Sequence, residues 1–436
     1  MTRNLSLLTV LFLLSFTVAP AQEKPSGWTL HDCLEYALEH NIQLKKSHIS
    51  LQSGQEDTHQ ARAQIFPSLS ASISQNVSYI PSSSSDSYTG NYSVSANWTL
   101  FDGNRRSNAI KQQELQDRIS VLSVEQNERE IQIALVQNYM QVLYAYEAVR
   151  ISENTVEVSK AQLDRAGELL KAGSISRVSF AQMESQYSSD KYQLVVAGKN
   201  LDNYKLQLKQ LLELDITDEI TLAIPGLGDD DVLAPLQQKE VIYALSLAAM
   251  PEVRSGELSV DIAELETKKA AGGYLPSLSM SAGLGTGNGS GASASFGDQL
   301  RDRFNETVGL TLSVPIFSNR THRTAVNKAR FSLANSRLEL LGTHKALLRL
   351  VEGVYLDATS AQSQYLASVE RLKYVTESYR LTEEQFFLGM KNTLELLTEK
   401  NNMLNAQQEE LQSKYMAIIS IQLLNIYQKK PVNPNY

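Results

Sequence analysis

The chain has 436 residues, is 42% hydrophobic and 20% charged, and carries a formal net charge of −8 at pH 7. Its mild acidity argues against a nucleic-acid-binding surface, and a single cysteine, Cys33, excludes an intramolecular disulfide. Apolar content is a little low for a compact body of this length, as expected of a chain laid out in thin, water-lined walls.

Arg3, an apolar run at 7–18 and Ala19-Pro20-Ala21 before Gln22 give residues 1–21 the form of a secretory signal peptide. No cysteine stands at the cleavage point, so no lipid anchor is expected there. Beyond it no run of about 18 apolar residues occurs, so any membrane insertion must use strands. Cys33 reads as a small apolar residue on the first helix, since no histidine or lysine arrangement singles it out.

Residues 67–101 are the only part of the first half that cannot be helical. Leu69, Ala71, Ile73, Val77 and Tyr79 alternate with Ser68, Ser70, Ser72, Ser74, Asn76 and Ser78. Tyr92, Val94, Ala96, Trp98 and Leu100 then alternate with Ser93, Ser95, Asn97 and Thr99. This is a hairpin with one apolar and one uncharged polar face, turning at the serine run 82–85. Each strand matches the roughly 9–11 residues that cross a bilayer at a tilt, and Tyr79, Tyr92 and Trp98 lie where an aromatic girdle belongs.

Proline is absent between Pro81 and Pro225 and again between Pro315 and Pro431, so two very long helices are expected. The first spans about 104–171, a rod of roughly 100 Å at 1.5 Å per residue. Leu135, Tyr139, Val142, Tyr146, Val149, Val156, Leu163 and Leu170 form its coiled-coil seam, with further apolar positions beside it for a second neighbour. Gly173 ends the rod and a return helix runs over about 178–214. Residues 216–240, with Pro225, Gly226, Gly228 and Pro235, read as an inter-repeat linker.

The pattern then repeats, dividing the mature chain into one structural repeat at 22–215 and another at 241–428, with a tail at 429–436. Pro67-Ser68-Leu69 returns as Pro276-Ser277-Leu278, Leu100-Phe101 as Ile316-Phe317, and Gly173 as Gly389. The second hairpin is placed at about 276–317, its rod at about 320–387 and its return helix at about 393–428. Within that hairpin 283–297 reads as a glycine- and serine-rich loop; its G-x-G-x-G opens no helix, which disfavours a nucleotide loop.

Two hairpins leave two unpaired edges that lipid does not tolerate, so several chains must close one barrel. Eight strands would nearly fill their own interior, whereas twelve leave a lumen suited to the Ser and Thr faces. Arg105, Arg106, Arg320 and Arg323 follow the strand ends, either at an anionic interface or as solvated first-turn charges.

By its Trp28-Thr29-Leu30, Ala37-Leu38 and Asn41 segment, F-P-S-L at 66–69, L-F-D-G at 100–103 and tip motifs at 171–184 and 386–399, the chain resembles a TolC-family outer-membrane efflux protein. The resemblance implies a mainly α fold with a transmembrane β part: a trimeric 12-stranded β-barrel, four strands per chain, continued by an α-helical coiled-coil barrel in the periplasm. It implies a passive exit duct in the outer membrane. Its partners would be a periplasmic adaptor (membrane fusion) protein and an inner-membrane transporter of RND, ABC or MFS type, with no catalysis and no cofactor.

The resemblance places Gly173, Ser174, Ile175, Gly389, Met390 and Lys391 at the adaptor contact. At the periplasmic entrance, Phe386 stands where the family's best-known member has a latching tyrosine, Lys391 where it has an arginine, Glu395 and Thr398 where it has two acids, and Ser179 where an acid receives the latch. One acidic ring, of Glu395, is therefore expected to favour cations. Six histidines, His31, His40, His48, His59, His322 and His344, show no metal-ligand spacing and read as surface residues. The competing reading is a surface-exposed structural or adhesive trimeric coiled coil, which leaves the duplicated hairpins and their aromatic apolar face unexplained.

Overall fold

The computed structural model describes residues 27–80 and 85–431. The signal-peptide expectation, most of the serine turn and the end of the tail lie outside them. The chain runs α1 (Leu30–His40), α2 (Ile42–Ala63), β1 (Ser68–Ile80), β2 (Ser85–Phe101), α3 (Arg105–Lys171), α4 (Arg177–Leu211), α5 (Asp229–Val232), α6 (Lys239–Ala249), α7 (Pro251–Ala271), β3 (Ser277–Gly289), α8 (Phe296–Asp302), β4 (Asn305–Ser313), α9 (Thr321–Phe387) and α10 (Thr393–Tyr427).

The rods α3 and α9 have 67 residues each and the return helices α4 and α10 have 35 each. A return helix covers only half of its rod. The other half is covered by α2 beside α3 and by α7 beside α9, and α7 also packs on α3, which ties the two halves of the chain together. Burial concentrates where these pieces meet. Leu30, Cys33 and Ala37 of α1 pack with Leu135, Tyr139 and Leu143 of α3, Leu208 of α4, and Leu411 and Ile418 of α10. Within this core, burial and the nearby Asp32 push the Cys33 thiol up to about 12, as befits a packing residue. Of the expected seam, Leu135, Tyr139 and Val142 are buried and Val149 packs against the same core, whereas Tyr146 is exposed.

All four strands form one antiparallel sheet in the order β1-β2-β3-β4. Register joins the two hairpins through β2 and β3, with Val94 opposite Leu284 and Ala96 opposite Ala282. One face carries Leu69, Ala71 and Ile73 of β1 beside Ala96, Val94 and Tyr92 of β2, and Leu284, Ala282 and Met280 of β3 beside Val308 and Leu310 of β4. A bulge at 99–101 sets Phe101, rather than Leu100, opposite Leu278. The other face pairs hydroxyls, Ser70 with Ser95 at 3.0 Å and Ser72 with Ser93 at 2.8 Å.

The expected loop at 283–297 is largely structured. Gly283, Gly285, Gly287 and Gly289 belong to β3, and the rest includes the short helix α8. The glycines alternate on the polar face, where their neighbours fill the space a side chain would take. A Cβ at Gly285 would come within 3.0 Å of Asn305 Oδ1, and one at Gly287 within 2.7 Å of the Gly90 carbonyl. Glycine here marks close approach between strands, which composition alone presents as a flexible loop. The second strand of this hairpin likewise stops at Ser313, two residues before Pro315 removes a ladder donor.

Strand turns into rod at two matching elbows. Gly103 and Asn104 have φ of 71° and 63°, and Asn319 and Arg320 have 46° and 64°. At Gly103 a side chain would also collide with the Gly272 carbonyl. Arg106 folds back into its elbow, pairing with Asp102 at 3.4 Å and donating to the Gln64 carbonyl at 2.9 Å, which spends its charge on the joint.

Residues 216–240 are no slack connector. Trp28 N–H donates to the Thr221 carbonyl and Ala223 N–H to the Trp28 carbonyl, which sews this segment to the start of α1; Tyr139 donates to the Ala223 carbonyl at 2.9 Å, and Gln362 of α9 donates to the Val232 and Ala234 carbonyls at 2.9 Å each. Val232 is fully buried. Pro and Gly here shape a belt across the waist of the rods.

Candidate functional site: the two helix tips

Each rod hands over to its return helix through the same backbone device. Gly173 and Gly389 take φ of 74° and 76°, and no atom lies within 4 Å of where a Cβ would stand, so the left-handed turn alone demands glycine. Ser174 N–H donates to the Leu169 carbonyl at 2.8 Å and Met390 N–H to Gln385 at 2.9 Å, the six-to-one bond of a Schellman cap in both tips. The four positions expected at a docking surface on either side of these turns behave alike: Ser174 and Met390 are exposed, Ile175 and Lys391 half-buried.

The caps that follow differ. Ser176 begins α4 and its hydroxyl accepts from Ser179 N–H at 3.0 Å. Asn392 begins α10 and accepts from Glu395 N–H at 2.9 Å, while Glu395 Oε2 accepts from Asn392 N–H at 3.0 Å. Ser179 and Glu395 are therefore the same position of the two halves, third in their helices, and only Glu395 can close the reciprocal box. Lys391 Nζ donates to Glu395 Oε1 at 2.6 Å. The backbone bond to Asn392, aided by Lys391, holds the Glu395 carboxyl below its ordinary range.

Phe386 is 5% exposed. It is buried with Ala166, Met183, Tyr379 and Leu396, a small apolar core that clasps the two tips together. Beside it the Arg165 guanidinium lies 3.6 Å from the centroid of the Phe387 ring, a contact between α3 and α9. Exposed apolar side chains surround the turns instead: Val178, Leu388, Met390 and Leu394.

One group of residues here was not anticipated. Lys400 of α10 is 1% exposed, and its ammonium donates to Asp190 Oδ2 of α4 at 2.6 Å and to Ser159 Oγ of α3 at 2.5 Å. Gln162 of α3 donates nearby to Tyr379 and Glu383 of α9. A signal was present in the sequence. Leu396, Lys400 and Met403 share one helical stripe, as do Met183 and Asp190, so each return helix puts a charge in its own seam. Among the described residues no cluster of metal-ligating side chains occurs. His31, His48 and His59 are exposed; His40, His322 and His344 are half-buried, with His40 stacked on Tyr36 at 4.0 Å between centroids.

The outer membrane efflux protein family matches residues 33–213 and 242–426, most of the chain in two blocks. The chain belongs to this family. It is 22% identical to the outer membrane protein TolC of Escherichia coli K12 over 87% of this chain and 78% of that protein. To the proteases secretion protein PrtF of Dickeya chrysanthemi it is 24% identical, over 95% and 90%. The solved structure of CusC, described as undergoing conformational changes on folding and transmembrane channel formation, superposes with a TM-score of 0.81 at 15% identity, over 94% of this chain and 96% of that one. The chain is thus an outer membrane channel protein of efflux or secretion type, and these relatives are channels rather than enzymes.

Proposed function

We propose that three copies of this chain close a twelve-stranded barrel and bundle their rods into a hollow periplasmic stem. What supports this most directly is the sheet: β1 and β4 are edges, and its apolar face stands bare, with Leu69, Ile73, Val77, Val308 and Leu310 each more than 60% exposed. A lone chain cannot keep that face and those edges in water or in lipid. Pairing β4 of one copy with β1 of the next removes the edges, turns the apolar band to lipid and encloses the serine face.

The duct performs no chemistry of its own. An inner-membrane transporter of RND, ABC or MFS type supplies the energy, and a periplasmic adaptor bridges to the tips at Gly173, Ser174, Ile175, Gly389, Met390 and Lys391. Exposed Val178, Leu388 and Leu394 give that contact its apolar area. Glu395 and Lys391 stand at the entrance, Ser179 marks the equivalent uncharged place, and Phe386 acts from behind by packing.

Reconstitution tests the reading. The purified mature protein is expected to run as a trimer and to make liposomes conductive; a monomer would sink the reading, and a trimer that leaves them sealed would favour the adhesive stalk. Within the duct, Glu395→Gln should lower cation preference in single-channel recordings. An unchanged preference removes the Glu395 ring.

A further inference from the structure

Lys400 and Asp190 form a buried ion pair between the two halves of the chain. Asp190 accepts from Lys400, from Gln186 at 2.8 Å through its second oxygen, and from Ser159, so both carboxylate oxygens are engaged out of water, as are two donors of the ammonium. Three helices from the two halves of the chain meet there: α3 and α4 from the first, α10 from the second. Towards the tips the halves touch through apolar side chains, Ala166, Met183, Phe386 and Leu396, and through the neutral amide of Gln162, which donates to Tyr379 and Glu383. Apolar contacts are non-directional and can slide, and a neutral amide such as that of Gln162 exchanges partners at smaller cost than a buried charge. The buried pair has no such freedom, because parting it leaves two bare charges in a low-dielectric interior.

We propose that Lys400, Asp190 and Ser159 form a pin that stays closed while the duct works, so that the periplasmic mouth widens only by bending the helix ends below it. This rests on the duct reading above. Counting at 1.5 Å per residue, the pin lies roughly 10–20 Å from the turns, which confines the moving part to the last two to four helical turns of each hairpin. The pin then sets how far the mouth can open, whatever drives it.

Single-channel recording on the purified assembly tests this. Wild type and the charge-exchanged K400D/D190K protein are expected to share one low conductance. Lys400→Met, which strands Asp190, should raise conductance several-fold with frequent transitions, as the second hairpin comes away above the tip. Equal conductance in Lys400→Met and wild type overturns the pin, and so does an exchanged protein that behaves like Lys400→Met. Should Lys400→Met fail to assemble, Ser159→Ala keeps the ion pair but strips one partner from the ammonium; a rise supports the pin and no change overturns it. A wild-type assembly that conducts nothing fails earlier, at the duct itself, so the two failures are told apart.

Discussion

The tips of the two hairpins share a backbone and differ in their side chains. Both turn on a left-handed glycine with the same six-to-one bond, yet Ser176 and Ser179 cap the first return helix one way, whereas Asn392 and Glu395 cap the second both ways and recruit Lys391. The turn is what any hairpin of this length needs, so both copies keep it. The charges are not needed to fold the turn, and only one copy carries them, which is why the entrance reading falls on the second hairpin.

The strongest way to break this comparison is at the glycines. Gly389→Val and Gly173→Val each force a β-branched residue to positive φ, at about 2 kcal/mol of local stability. Amide exchange at Met390 and Ser174 should accelerate by a similar large factor in both; an effect at one tip only would show that the shared backbone does not mean shared strain. Next comes Asn392→Ala, expected to cost about 1 kcal/mol and so to speed exchange in the first turn of α10 about fivefold. Ser176→Ala should do less, since it removes a one-way cap.

Acid should separate the tips without mutation. The Glu395 carboxyl is held below its ordinary 4.5, so it adds stability that is complete above that value and fades as pH falls through the lowered one. Exchange in the first turn of α10, corrected for intrinsic rate, should rise below pH 4.5 while the first turn of α4 stays level. The smallest effect is a gain: Ser179→Glu supplies the missing half of the box, worth about 0.5 kcal/mol to the first tip. Exchange slowing there by about twofold would show that the two caps are interchangeable.

Most of this architecture was legible because long periodic segments leave few alternatives. A proline-free rod with a wide apolar stripe can only be a long packed helix, and alternation of Ser with Leu, Ile and Val can only be a two-faced strand. The failures share a cause. Gly283, Gly285 and Gly287 read as a loop, because glycine content reports backbone permissiveness and is silent about which neighbour fills the vacated space; the inter-repeat linker at 216–240 is a linker that also packs on the rods, which composition likewise does not tell. At the tips the turns followed from Gly173 and Gly389. The burial of Phe386 did not, since it depends on the other hairpin's Ala166 and Met183. Lys400 was missed for the same reason: its partners sit on two other helices, far away in sequence.

The glycines of β3 matter for whatever travels. On that face of the strand Gly283, Gly285 and Gly287 leave room for the side chains of Thr307 and Asn305 of β4 and Asn91 of β2 to lie across the backbone. Repeated by the proposed symmetry, these short hydroxyls and amides would form three low, uncharged tracks along the bore. A conduit so surfaced would show little preference among its cargoes and would leave the choosing to whatever loads it.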